Sequence, residues 1–223
     1  MPIISPSLDG FIGANTNNWT TLLNGASGKN LSTTAQTGTG TAQGSTASSI
    51  IAASNAGGTA FTHFHSFINF DCSSISSTPT SATLTIYVDS CGVSSKYIPV
   101  RGTFDTSITP NQDYFNDFNA NVPYSSLQGA TAGQSNTFTL NATALSDMVG
   151  NSDFKIMLIE SDYVLIQANI PNNTVKVINI GYSNSSTISF RPFLEYGTGS
   201  ATNLNSITLR NNINIAGTVR FGS

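Results

Sequence analysis

Two histidines stand two residues apart, His63 and His65, within the aromatic stretch from 61 to 70 (FTHFHSFINF). On a strand, residues i and i+2 share a face, so both imidazoles can approach a single metal ion. No third ligand follows at a defined spacing. The pair therefore reads as packed or hydrogen-bonded side chains, and no metal or other cofactor is assigned from it.

Carboxylates offer two further pairings. Asp113 and Asp117 lie four apart, and Glu160 and Asp162 lie two apart beside an apolar run. Asp113 and Asp117 can coordinate Ca²⁺ or act as paired carboxylates, Glu160 and Asp162 share one face at a strand end, and Asp113 with Glu160 is the combination a polysaccharide-cleaving enzyme would need, since glycoside hydrolysis requires two carboxyl groups held ~5 to 9.5 Å apart. Sequence spacing does not establish that distance. Most of the 11 acids stand beside turn signals, where solvated carboxylates are expected; a structural Ca²⁺ in a sandwich loop is the alternative. No Ser-His-Asp set and no Gly-x-Ser-x-Gly turn can be assembled, and the Gly pairs at 38/40 and 57/58 follow no strand-then-helix pattern. The reading is non-enzymatic. Trp19 and Tyr114, among one Trp and seven Tyr, are the aromatics assigned to a glycan-stacking role, against the alternative that they pack at the core rim.

Cys72 and Cys91 are the only cysteines. The first residues, MPIISPS, lack the basic and apolar regions of a secretory signal, so two thiols are expected rather than a disulfide, in a protein made in the cytoplasm. The eight Lys and Arg are scattered from Lys29 to Arg220, which leaves no phosphate-neutralising stripe for nucleic acid. No apolar run reaches the ~20 residues of a membrane-spanning helix. Charged residues make up only 9% of the 223, against roughly a quarter in an average domain. Ser (31), Thr (28) and Asn (24) take their place. With 39% hydrophobic residues and a net charge of -3, a buried core is expected beneath an uncharged surface.

The elements that position these groups are strands. The alternation in 81–88 (SATLTIYV) puts Ala82, Leu84, Ile86 and Val88 on one face. Residues 61–70, 136–141 and 175–180 carry similar signals, and the continuous apolar runs 154–160 (FKIMLIE) and 163–170 (YVLIQANI) read as central strands. Residues 187–196 read as a last core strand. Residues 96–104 form another, in which Pro99 demands an edge or a bulge. Short helical turns are expected at 109–118, which starts Thr-Pro, and at 143–149, which closes at Gly150. The stretch 32–49 is low-complexity and reads equally as a linker or as a Thr-rich strand pair. The sum is an all-β antiparallel β-sandwich over residues 9–196, with an N-terminal arm of residues 1–8.

Beyond Gly197 the chain changes character. Ile207, Leu209, Ile213, Ile215, Val219 and Phe221 alternate with polar residues through 197–223. A free tail would leave them uncovered. They read as an extended C-terminal assembly arm that adds strands to a neighbouring subunit, or else as a strand folded back on its own sandwich.

The order of segments resembles a known family. Asp9-Gly-Phe-Ile, Gly25-Ala-Ser-Gly, Ser66-Phe-Ile-Asn-Phe-Asp-Cys-Ser-Ser-Ile and Thr80-Ser-Ala-Thr-Leu-Thr-Ile-Tyr-Val, with the later Phe138-Thr-Leu-Asn and Pro192-Phe-Leu-Glu-Tyr, are similar to the DNRLRE-like β-sandwich domains over roughly residues 9 to 196. In place of the family's Arg before the Phe strand this chain has His63-Phe64-His65, and the stretch past Gly197 has no counterpart. The resemblance implies a jelly-roll-like sandwich of the kind seen in tailed-phage virion proteins, bacterial surface proteins and carbohydrate-binding modules. The expectation is a structural protein of a phage virion, a head decoration, neck or tail accessory component that contacts other virion proteins and copies of itself. The alternative is a carbohydrate-binding module or adhesin for host surface glycans.

Overall fold

The computed structural model describes residues 1–16, 49–56, 60–103, 118–166, 168–183 and 185–198. Twelve strands appear among them: β1 (Ile3–Ile4), β2 (Pro6–Thr16), β3 (Ser49–Ala56), β4 (Ala60–Phe70), β5 (Ser81–Cys91), β6 (Lys96–Gly102), β7 (Phe118–Pro123), β8 (Gln128–Gly129), β9 (Gln134–Thr139), β10 (Phe154–Glu160), β11 (Thr174–Ile180) and β12 (Phe193–Gly197). All pairings are antiparallel. The expected all-β sandwich is the observed architecture.

Hydrogen bonds run through β1-β12-β5-β11-β3-β4-β10-β6-β7, with β2 added to β4, β9 to β5 and β8 to β6. β11 hands the ladder from β5 to β3, so the sheet folds over and its two layers face one another. Between them lies the main core. Ile68 and Phe70 of β4, Leu84, Ile86 and Val88 of β5, Phe154, Ile156 and Leu158 of β10, and Ile178 and Ile180 of β11 all belong to it. Each fully buried side chain of this size contributes about 1.5–3 kcal/mol of transfer free energy. The alternation read in β5 is the observed one, with Ala82, Leu84, Ile86 and Val88 at or below 1% exposure.

A second core lies on the outer face of the β4-β10-β6 layer. Phe67, Ile98, Val100, Met157 and Ile159 meet Val164 and Ile170 there. Burial on both faces explains why β10 reads as a continuous apolar run rather than an alternating one. The cover over this face is the segment after β10. It was expected as a strand over 163–170 and is instead a π-helical turn, Ser161–Leu165, followed by an irregular stretch. The expected strand over 187–196 is also divided, into a 3-10 turn Ile188–Phe190 and β12.

Pro99 sits beside a bulge, as its ring demands. Tyr124 N–H donates to the Pro99 carbonyl at 2.9 Å, so the side of Pro99 that lacks a donor faces β7 and β8 rather than β10. β8 pairs with Lys96 and Tyr97, β7 with Val100 to Gly102, and the register shifts between Val100 and Arg101. The short helix expected near 143 is α1 (Ala142–Asp147), N-capped by Asn141, whose Oδ1 accepts Ala144 N–H at 3.1 Å. Gly150 follows at φ 62°, a conformation glycine adopts without strain. Residues 1–8, expected as an arm, carry β1 and the start of β2, and so pair with β12 and β4. The helical turn at 109–118, apart from Phe118 at the start of β7, and the arm 199–223 lie outside the described residues.

Candidate functional site

The two histidines do share a face. They project from β4 at 2% and 0% exposure, on the same side as Phe67, with ring centroids 4.0 Å apart in an edge-on arrangement. His63 stands opposite Ala53 of β3, itself part of the second core. Burial drives both imidazoles toward the neutral form: His65 is lowered to about 3, and His63 falls well below its ordinary value, first through desolvation and then through its neighbour. They are packing elements of the second core. Among the described residues, no group of three or more His, Cys, Asp or Glu gathers to hold a metal ion.

Glu160 and Asp162 are not a pair of carboxylates on one strand face. β10 ends at Glu160, whose buried carboxylate accepts the N–H groups of Asp162 (2.9 Å), Tyr163 (2.8 Å) and Val164 (3.2 Å). These three donors would be orphans at the start of a helical turn; satisfying them is what turns the chain over the second core. Burial raises the Glu160 pKa more than the three N–H groups lower it. Asp162 points outward to Lys96 (3.7 Å) and Lys176 (3.6 Å). Asp113, Asp117, Trp19 and Tyr114 lie outside the described residues, as do the arm residues Ile207, Leu209, Ile213, Ile215, Val219 and Phe221.

Other polar groups are also engaged internally. Asp9 is 4% exposed and accepts both the N–H (2.7 Å) and the hydroxyl (2.5 Å) of Ser183; burial raises its pKa despite these bonds. Arg101 Nε (2.9 Å) and the Tyr124 hydroxyl (2.8 Å) both donate to Asp147 Oδ2, tying β6 to the end of α1. Cys72 and Cys91 are free thiols, and burial pushes Cys72 up to about 12. Cys72 is thus an inert core residue.

Among the described residues, one strand presents backbone groups without a strand partner. In the β5·β9 ladder Thr83 stands opposite Thr139 and Thr85 opposite Thr137, while Leu140 N–H donates to the Ala82 carbonyl at 2.9 Å. Bonding alternates along an antiparallel pair. The even-numbered residues of β9 therefore bond to β5, and the N–H and C=O groups of Ser135, Thr137 and Thr139 point the other way. The close contact of the Thr85 and Thr137 hydroxyls, 3.4 Å, fits a pair of this closer, non-bonded kind. β9 has no second strand partner among the described residues.

No protein-family model and no curated protein sequence matches this chain. Natural sheets blunt an exposed edge with proline, charge or a bulge. β1 is two residues long between Pro2 and Pro6; β7 ends on Pro123; β2 starts at Pro6, shifts register between Pro6 and Leu8, and carries Asp9. β9, with the sequence QSNTFT, has none of these devices. Its strand signal was legible in the alternation of 136–141. Its position at an edge was not, because edge or centre depends on pairing far along the chain.

Proposed function

We propose that this protein is a non-enzymatic structural component of a phage virion, a head decoration, neck or tail accessory protein, that assembles through its β-sandwich and its C-terminal strand-forming arm. The observation that carries the reading is the edge of β9, which has no second strand partner among the described residues and none of the usual edge defences. A sheet that displays an unprotected, uncharged row of backbone donors and acceptors is suited to receiving another strand, and the same chain carries alternating apolar segments at 207–221. The internal employment of Glu160, His63, His65 and Asp9 supports a structural role for the chemistry-bearing residues. The neutral Ser, Thr and Asn surface supports assembly by apolar and backbone contacts, which salt screens little.

The test is particle incorporation. Deleting residues 202–223 abolishes incorporation into virions while the remaining sandwich stays folded; incorporation at the native copy number overturns the reading.

A further inference from the structure

We propose that Lys155 and Asn69 join through their side chains in an intramolecular amide bond, with loss of ammonia and with Asp153 as the proton carrier. The three residues are gathered at one end of the β4·β10 ladder. Asn69 stands directly opposite Lys155, and the next pair on the same face, Phe67 opposite Met157, belongs to the second core. Asp153 immediately precedes β10, two residues before Lys155, a spacing that returns its side chain to that face. Its Oδ1 accepts the Asn69 Nδ2–H at 3.2 Å. A carboxylate is therefore already bonded to the nitrogen that would leave.

The amide is held in place and incompletely satisfied. Asn69 is 4% exposed. Its Nδ2 also donates to Ser7 Oγ at 3.0 Å, and that hydroxyl donates to the Asn69 main-chain carbonyl at 3.2 Å, so β2 fixes the amide plane. Asn69 Oδ1 is buried and has no hydrogen-bond partner among the described residues, an unfavourable state for an acceptor. The residue across the ladder is a lysine, whose ammonium carries donors and no acceptor. Directly opposite Cβ atoms of an antiparallel pair lie ~4.5–5.5 Å apart, a gap a lysine side chain spans. An ammonium donating to Oδ1 polarises the carbonyl and sets Nζ beside Cγ.

The chemistry is a transamidation. Asp153 takes one proton from the Lys155 ammonium, and the neutral Nζ attacks Asn69 Cγ, forming the Nζ–Cγ bond. A second proton passes from Nζ to Nδ2. The Cγ–Nδ2 bond then breaks, and ammonia leaves with the proton that Asp153 had taken, as ammonium. Asp153 is exposed, which opens an exit to solvent. No electrons are transferred and the carboxylate is regenerated. The product clips together β4 and β10, two strands that contribute side chains to both cores.

The experiment is the intact mass of the full-length chain, purified folded and measured after denaturation, followed by peptide mapping. The native chain is lighter than its sequence by one ammonia molecule, and trypsin yields a branched peptide in which Lys155 is uncleaved and joined to Asn69. Lys155→Arg and Asn69→Ala each restore the full sequence mass, and Asp153→Ala restores it in most molecules. A native chain of full sequence mass overturns the proposal whatever the variants do. So does an ammonia deficit that persists in Lys155→Arg, or one that mapping places at any other residue. An Asp153→Ala chain as fully linked as the native one overturns the role given to that carboxylate.

Discussion

The Glu160 carboxylate accepts the backbone N–H of Tyr163 at 2.8 Å from inside the fold, three residues back along the chain. A charge-bearing side chain that resembles half of a catalytic pair in the sequence is thereby a cap, and the strand expected after it becomes a turn. Glu160→Ala leaves three N–H groups without an acceptor. Its urea midpoint should fall by an amount equivalent to about 1–3 kcal/mol, and Glu160→Gln, which keeps one acceptor oxygen, should lose less. Because burial raises the folded pKa above 4.5, the folded state holds the proton more tightly than the unfolded chain. Stability should decline as pH rises through the window above 4.5, and this decline should be missing from the Gln variant.

The histidines impose the opposite slope. Their folded values lie below 6.5, His65 at about 3, so between those limits the unfolded chain binds more protons. Their contribution is complete above pH 6.5 and is lost as pH falls toward 3, by about 1.4 kcal/mol per pH unit for each imidazole. Since Asp9 and Glu160 oppose this trend, it is read as a difference: urea midpoints at pH 5, 6 and 7 for the native chain against His63→Gln/His65→Gln. Parallel curves would show that the pair is not held neutral.

Gly181 passes so close to the 3-10 turn that a Cβ there would lie 1.8 Å from the Phe190 carbonyl oxygen. Phe190 in turn stacks on Tyr87, centroids 3.9 Å apart. Gly181→Ala should therefore push the turn off β5, with a loss of about 1–3 kcal/mol or more and an altered near-ultraviolet tyrosine signal. An unchanged spectrum and melting temperature would contradict this packing.

Asp147 gathers Arg101 and the buried Tyr124 at one oxygen. Tyr124→Phe should lose about 1 kcal/mol in urea unfolding and Asp147→Ala more, since the latter also strands the hydroxyl. The arginine is part-exposed, at 37%, so raising salt should change the difference little.

Where local pattern and pairing agree, the sequence was sufficient. β5 alternates because one face lies on the main core, and Gly150 marks the end of α1 by its positive φ. The segment 163–170 is apolar enough for a strand, and only the Glu160 cap reveals that it crosses over a sheet instead of joining it. For the same reason His63 and His65 were legible as neighbours but not as members of a second core, which exists only because β10 joins β4 to β6. Pro192 and the close approach at Gly181 divide 187–196, a long-range constraint that periodicity does not contain. The edge of β9 belongs with these: its sequence was readable, its lack of a second strand partner among the described residues was not.

The proposed working state of this protein is an assembly held by backbone and apolar contacts. Its most direct measure is the mass of the full-length chain in solution at low and at high salt. The expected result is a multi-copy mass that persists as salt is raised, because a chain with 9% charged residues has little electrostatic attraction to screen. A one-copy mass at both ionic strengths, or a multi-copy mass that dissociates in salt, would contradict it.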